Sequence, residues 1–124
     1  MKSLASGRIA CAQTILKPWG YEKIFAHTEK YAGKILHINP GHRLSKQYHE
    51  IKDETIFILS GVLRLYVNDV EIAHVMSEGQ CIRLYPNTIH RFEAPDSGDA
   101  VILLEVSTSE LDDVVRIEDD YDRK

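Results

Sequence analysis

Cysteine is scarce: Cys11 and Cys81 are the only two in 124 residues. They are too few and too widely separated for a disulfide framework or a paired-cysteine metal site, so both are read as free thiols. Cys81 is expected as a small core residue. A cationic surface is also missing. Lys and Arg total 15 against 19 Asp and Glu, a formal charge of -4, which argues against nucleic acid or anionic membrane as a partner. No apolar run approaches transmembrane length. The opening "MKSLASGRIACAQTIL" reaches Arg8 before an uninterrupted apolar stretch can form, making a poor signal peptide. These absences lead to the expectation of a soluble cytoplasmic protein. Helical periodicity is almost absent, as are internal repeats and low-complexity linkers, and the length fits one domain that buries about two thirds of its unfolded surface.

What the chain has is a period of two. Turn chemistry recurs at Asn39-Pro40-Gly41, Ser60-Gly61, Asn68-Asp69, Ser77-Glu78-Gly79, Pro86-Asn87 and Pro95-Asp96-Ser97-Gly98. Between these lie "GKILHI", "TIFILS", "VLRLYV", "EIAHVM", "CIRLY", "HRFEA" and "AVILLEV". Short β-rich segments at such spacing predict an all-β antiparallel sandwich or barrel. "TIFIL" and "VILLE" are apolar on both strand faces, so one face lines the core while the other is free to pack on a second sheet or subunit, and a homodimer is expected. Residues 1–16 read as an arm, 17–106 as the barrel and 107–124 as an acidic segment packing on or near it.

One stretch breaks the apolar pattern. "GHRLSKQYHEIKDETIFILSG", residues 41–61, places Gln47, His49 and Glu54 directly before a core strand. Buried polar groups need partners or cost roughly 1 to 3 kcal/mol each. Gln47 and His49, two apart, share a strand face. A turn over residues 50–53 resets the parity, so that Glu54 joins Ile56 and Ile58. In "YPNTIHRF" the Pro86-Asn87 turn brings His90 inward. Two imidazoles, a carboxylate and an amide oxygen suit one divalent transition metal, with zinc, manganese, iron, cobalt and nickel all compatible.

Gly41, Gln47, His49, Glu54 and Gly61 resemble the first cupin motif at its full spacing, with Gln47 where His is usual. Gly79, Tyr85, Asn87 and His90 resemble the second, although Tyr85 and Asn87 stand at its Pro and Gly positions and Ala94 at its Asn. Within cupins the chain is most similar to the type II phosphomannose isomerase domain, through "KPWGYEKIF", "INPGHRLSKQYH" and "DDVVRIEDDYDR", with Asp122 where Gly is usual. That resemblance implies a jelly-roll barrel, a double-stranded β-helix, with metal ligands at Gln47, His49, Glu54 and His90. Three departures fall near the site: Lys52 stands for an Arg, Thr55 for a His and Ile56 for a Trp. Many members are joined to a sugar-nucleotide transferase domain, which these 124 residues do not contain.

The resemblance also implies a small-molecule sugar or sugar-phosphate partner and aldose–ketose isomerisation of the mannose 6-phosphate type, in which a metal polarises the carbonyl while a base takes a proton from C2. The base is not identified by the sequence, and Arg91, Lys52 and His42 are the candidate catalytic residues. Arg91 follows His90, so parity points it out of the barrel unless a bulge turns it. Arg43, Arg91 and Lys52 are the candidate anion contacts, since a guanidinium grips phosphate with two hydrogen bonds where lysine acts as a point charge. Lys46 alternates with Gln47 and should face solvent. His37 and His74 read as surface residues, Trp19 and Tyr21 as packing of the arm on the barrel, and Tyr121 with Arg116 as ordering the closing segment. Two other functions fit the same ligand set: an iron-dependent cupin oxygenase, and a barrel that binds a sugar or metabolite without turnover.

Overall fold

Alternating side chains become strands throughout the computed structural model, which describes residues 3–4, 7–68 and 70–123. Met1 and Lys2 of the expected arm, with Ala5 and Ser6, Asp69 of one expected turn, and Lys124 lie outside the described residues. Among the described residues thirteen strands follow in order: β1 (Ser3–Leu4), β2 (Gly7–Arg8), β3 (Gln13–Lys17), β4 (Gly20–His27), β5 (Ala32–Ile38), β6 (Lys46–Tyr48), β7 (Glu54–Ser60), β8 (Leu63–Val67), β9 (His74–Met76), β10 (Cys81–Leu84), β11 (His90–Glu93), β12 (Val101–Ser107) and β13 (Val115–Glu118). No helix among the described residues is long and apolar enough to cross a membrane.

Two antiparallel sheets form the double-stranded β-helix. One has six strands in the order β10-β7-β12-β5-β4-β3, and the other has five in the order β13-β6-β11-β8-β9. The segments expected as an arm and an acidic tail both contribute strands. β3 pairs with β4 through Gln13 to Lys17, and β13 pairs with β6, opposing Arg116 to Gln47.

The inward faces divide into an apolar floor and a polar mouth. In β7, Ile56 and Ile58 are buried beside Glu54, while Phe57 and Leu59 face outward. In β12, Val101 and Leu103 are buried on the same face as Glu105. Leu36, Ile38, Leu65 and Phe92 complete the floor. Each such side chain contributes about 1.5 to 3 kcal/mol through burial, enough in sum to hold a polar rim in place at one end.

Cys81 is exposed rather than a core residue. It opens an edge strand in which Leu84 is buried, and alternation turns Cys81 and Arg83 outward. Two departures from the family motifs also acquire a backbone reason. Asn87 and Asp122, both standing where glycine is usual, have φ of 66° and 56°. Asn and Asp are the non-glycine residues that best tolerate this left-handed region. Gly61 is less replaceable, because its φ is 86° and a Cβ there would lie 2.6 Å from the Ala100 carbonyl oxygen.

Candidate metal centre

Three chain segments bring the candidate ligands to one point. β6 ends at Tyr48 and delivers His49, β7 opens with Glu54, and β11 opens with His90. His90 opposes Gln47 across the β6–β11 ladder. The Asn87 turn is tied to the first ligand, its N–H donating to the His49 carbonyl at 2.6 Å. The loop between His49 and Glu54 is held by one carboxylate: Asp113 accepts N–H bonds from Glu50, Ile51 and Lys52 at 3.1, 2.7 and 2.9 Å. Burial raises the Asp113 pKa, but these backbone bonds outweigh it and hold the group below the ordinary range.

His49, Glu54 and His90 are all buried, and one ligand atom from each falls within 4.8 Å of the others. Glu54 Oε1 lies 3.0 Å from His49 Nε2 and 3.2 Å from His90 Nε2. Both rings are oriented from behind: His49 Nδ1 bonds the Asp113 carbonyl, and His90 Nδ1 bonds the Thr88 carbonyl at 2.9 Å. A carbonyl only accepts, so each Nδ1 carries the proton and each Nε2 of a neutral ring presents a lone pair. Two lone pairs and a carboxylate oxygen then converge with no hydrogen between them, and His90 Nε2 and Glu54 Oε2 are buried without a hydrogen-bond partner. This donor set fits a divalent cation, with the outer hydrogen bonds that metal-binding histidines require. Gln47 lies beside it, its Oε1 accepting from Ser45 Oγ at 2.6 Å.

Around the ligands runs a row of alternating charges. Lys52 Nζ is 2.9 Å from Glu105 Oε2 and 3.6 Å from Glu54 Oε2. Lys34 Nζ stands 3.7 Å from the same Glu105 oxygen and 3.3 Å from Glu22. Burial pushes the Glu54 carboxyl up, yet the His49 and His90 rings, which can donate to it only when doubly protonated, together with Glu105 and the Lys52 charge, bring it well below its usual value. Glu105 moves the other way, because burial and the Glu54 charge outweigh Lys34 and Lys52. For Lys52, burial opposes protonation, but Glu105 and Glu54 prevail and raise its pKa.

A cavity of about 480 Å³ opens onto this row and is lined by Gln47, His49, Lys52 and Glu105 among others. Trp19, 2 % exposed, packs in the core while also forming part of the cavity wall. The structure thus gathers His49, Glu54, His90, Gln47 and Lys52. It sets three other candidates apart. Arg91, between His90 and Phe92 on β11, lines a second cavity of about 550 Å³ with Arg43, to which His90 also contributes. His42 bonds the Pro40 carbonyl through Nδ1 and stacks near Tyr121, with ring centroids 6.5 Å apart. Lys46 is half-buried, 3.9 Å from Glu118.

Sequence reasoning missed Glu105, Lys34, Glu22 and Asp113. For Glu105 the signal was present in "AVILLEV", where the alternation that buries Val101 and Leu103 also turns Glu105 inward. Asp113 carries none, since its role depends on where the closing segment returns to the loop.

A family model described as "Mannose-6-phosphate isomerase C-terminal" matches residues 6–119. The mannose-1-phosphate guanylyltransferase ManC of Salmonella typhimurium is 32% identical over 112 residues, covering 88% of this chain and 23% of that protein. The chain therefore spans about a quarter of the length of the curated relatives it matches. Among solved structures, the cupin-2 domain protein Rru_A2000 of Rhodospirillum rubrum superposes with a TM-score of 0.73 at 13% identity, over 94% of this chain and 82% of that one. A cupin-superfamily sugar phosphate isomerase, SPO2919 of Silicibacter pomeroyi, gives 0.62 at 19% identity, over 71% of this chain and 58% of that one. At such identities the structural likenesses establish the fold.

Proposed function

Because the chain belongs to the mannose-6-phosphate isomerase C-terminal family, we propose that its barrel is a metal-dependent aldose–ketose isomerase for a hexose phosphate of the mannose 6-phosphate type. The observation that carries this reading is the buried meeting of His49 Nε2, Glu54 Oε1 and His90 Nε2 beside a cavity that also holds a non-ligand carboxylate, Glu105. Bound there, a divalent cation supplies Lewis-acid polarisation of the sugar carbonyl.

The remaining work falls to side chains around the cavity. Isomerisation moves a proton between adjacent carbons and needs a base within hydrogen-bond reach of both. Glu54 is committed to the ligand set. Glu105 lies in the cavity wall, positioned by Lys52 at 2.9 Å and Lys34 at 3.7 Å, and it is the carboxylate assigned to take the proton from C2 and return it to C1, while the O2 hydroxyl proton passes to O1. Lys52, in contact with two carboxylates, acts as a fixed cation and hydrogen-bond donor that stabilises negative charge developing on the sugar oxygens. Trp19 and Leu44 in the cavity wall exclude water from the transfer.

The test is proton NMR of mannose 6-phosphate and fructose 6-phosphate in deuterated water, with protein reconstituted separately with zinc, manganese, iron, cobalt or nickel. Deuterium entering C2 or C1, lost in Glu105→Gln while metal binding persists, is the expected result. Silence with every metal, in folded metal-loaded protein, overturns the assignment. Sugar phosphate binding without exchange would identify a binding barrel, and oxygen uptake by the iron form an oxygenase.

A further inference from the structure

Arg43 and Arg91 lie outside the cavity, yet Arg91 is only 5 % exposed, and a buried guanidinium must be satisfied by fixed partners. Arg91 Nε donates to the Leu44 carbonyl at 2.8 Å, Nη2 to Asp120 Oδ1 at 3.1 Å, and Nη1 stands 3.5 Å from Glu118. Arg43 grips the same Asp120 with two bonds, Nε to Oδ2 at 2.6 Å and Nη2 to Oδ1 at 2.9 Å. One carboxylate therefore ties together the loop before β6, the strand that carries His90, and the closing segment.

That segment is also fastened at its other end. Asp113 holds the 50–52 loop by three backbone bonds and offers its carbonyl to His49 Nδ1. Between the two fastenings the chain supplies Val114 and Arg116 to the cavity lining, and Leu111 and Asp112 just before them. Each fastening also sits next to a metal ligand, Asp113 against His49 and Arg91 one residue from His90.

We propose that Arg43 and Arg91 are positioning residues which, by clamping Asp120, hold residues 111–123 as the outer wall of the metal cavity and keep the wall in register with the histidine ligands. This rests on the reading of that cavity as the ligand site, and it assigns the two arginines a task other than touching an anion. The direct-contact alternative makes an opposite forecast for Asp120. Removing a carboxylate that competes for two guanidinium groups should strengthen anion binding if those groups bind the anion, and should weaken it if they act only through the clamp.

The experiment uses the full chain loaded with cobalt(II), as wild type and as Asp120→Asn, Arg91→Met, Arg91→Met with Asp120→Asn, and Asp120→Glu. Hydrogen exchange of residues 111–123, the cobalt visible spectrum and mannose 6-phosphate affinity are measured together. The clamp predicts exchange accelerated by about tenfold in that segment for Asp120→Asn and for Arg91→Met, equivalent to about 1.4 kcal/mol. The cobalt spectrum should shift in the same variants, affinity should fall to a similar extent, the double variant should be no worse than either single, and Asp120→Glu should restore most of each readout. Unchanged exchange with an unchanged spectrum overturns the clamp, as does tighter binding by Asp120→Asn alongside lost binding by Arg91→Met. Exchange and spectrum require neither turnover nor sugar, so failure of the isomerase assignment leaves them decisive. Asp120→Glu and Arg43→Lys, which keep the charges, supply the comparison should Arg91→Met fail to fold.

Discussion

His49 Nε2 and Glu54 Oε1 face each other across 3.0 Å, although the ring proton is already committed on the far side, where Nδ1 bonds the Asp113 carbonyl. Two acceptors in contact repel unless a proton or a cation lies between them. A divalent metal bound there would resolve this repulsion at His49 and at His90 together. At a hundredfold excess over its dissociation constant, the metal should add about 2.7 kcal/mol of stability and raise the melting temperature by roughly 10 °C. Differential scanning fluorimetry with and without chelator measures this. Glu54→Gln and His90→Ala should lose the metal-dependent rise, and a rise that survives both would place the metal elsewhere.

Lys52 supports a second prediction. Its side chain is 3 % exposed and stands between Glu105 and Glu54, so Lys52→Met leaves buried carboxylate charge without its counter-ion. Breaking such a pair costs about 3 to 5 kcal/mol, whereas replacing both partners costs much less. The urea midpoint should therefore fall sharply in Lys52→Met and recover by more than half in the double variant with Glu105→Gln. Additive losses would mean that the two side chains do not act as a pair.

The fold was legible because alternation is local. "TIFILS" and "AVILLEV" specify their own inward faces, and the Gln47, His49, Glu54 and His90 spacings specify where those faces turn polar. β3 and β4 were less legible: residues 13–27 mix Lys, Glu, Pro and Gly with apolar residues, and their place in the sheet comes from β4 pairing with β5 and β3 with β4. Parity spoke to the direction of Arg91, but not to its partners. What occupies a guanidinium depends on a segment almost thirty residues further along the chain folding back, and no spacing rule encodes that return. Asp113 lay beyond reach for the same reason.

Asn87 permits a third prediction. At φ 66°, with its N–H donating to the His49 carbonyl, it occupies a conformation that glycine adopts freely and alanine resists. Asn87→Ala should cost about 1 to 2 kcal/mol, and Asn87→Gly should stay within about 0.5 kcal/mol of wild type. Urea denaturation of the metal-free protein separates the two. Equal losses from both substitutions would show that the Asn side chain, and not the backbone conformation, holds the turn.

Acid should undo the closing segment through Asp119. Arg123 donates to this carboxylate from its backbone N–H at 2.7 Å, from Nε at 2.8 Å and from Nη2 at 3.0 Å, and these bonds lower its pKa to about 2 against the opposing effect of burial. A folded pKa below the unfolded one means that the stabilisation is fully present above the unfolded value of about 3.9 and is lost as pH falls through that value toward 2. The full shift corresponds to about 2.6 kcal/mol, and solvent around the partly exposed Arg123 reduces the expectation to about 1 kcal/mol. Wild type should therefore exceed Asp119→Asn in urea midpoint at neutral pH, the gap should narrow from about pH 5 downward, and it should close only below about pH 2. A gap that stays constant or widens in acid would mean that Asp119 contributes through packing or as a neutral hydrogen-bond acceptor, and the charge would then have no part in holding the segment that walls the cavity.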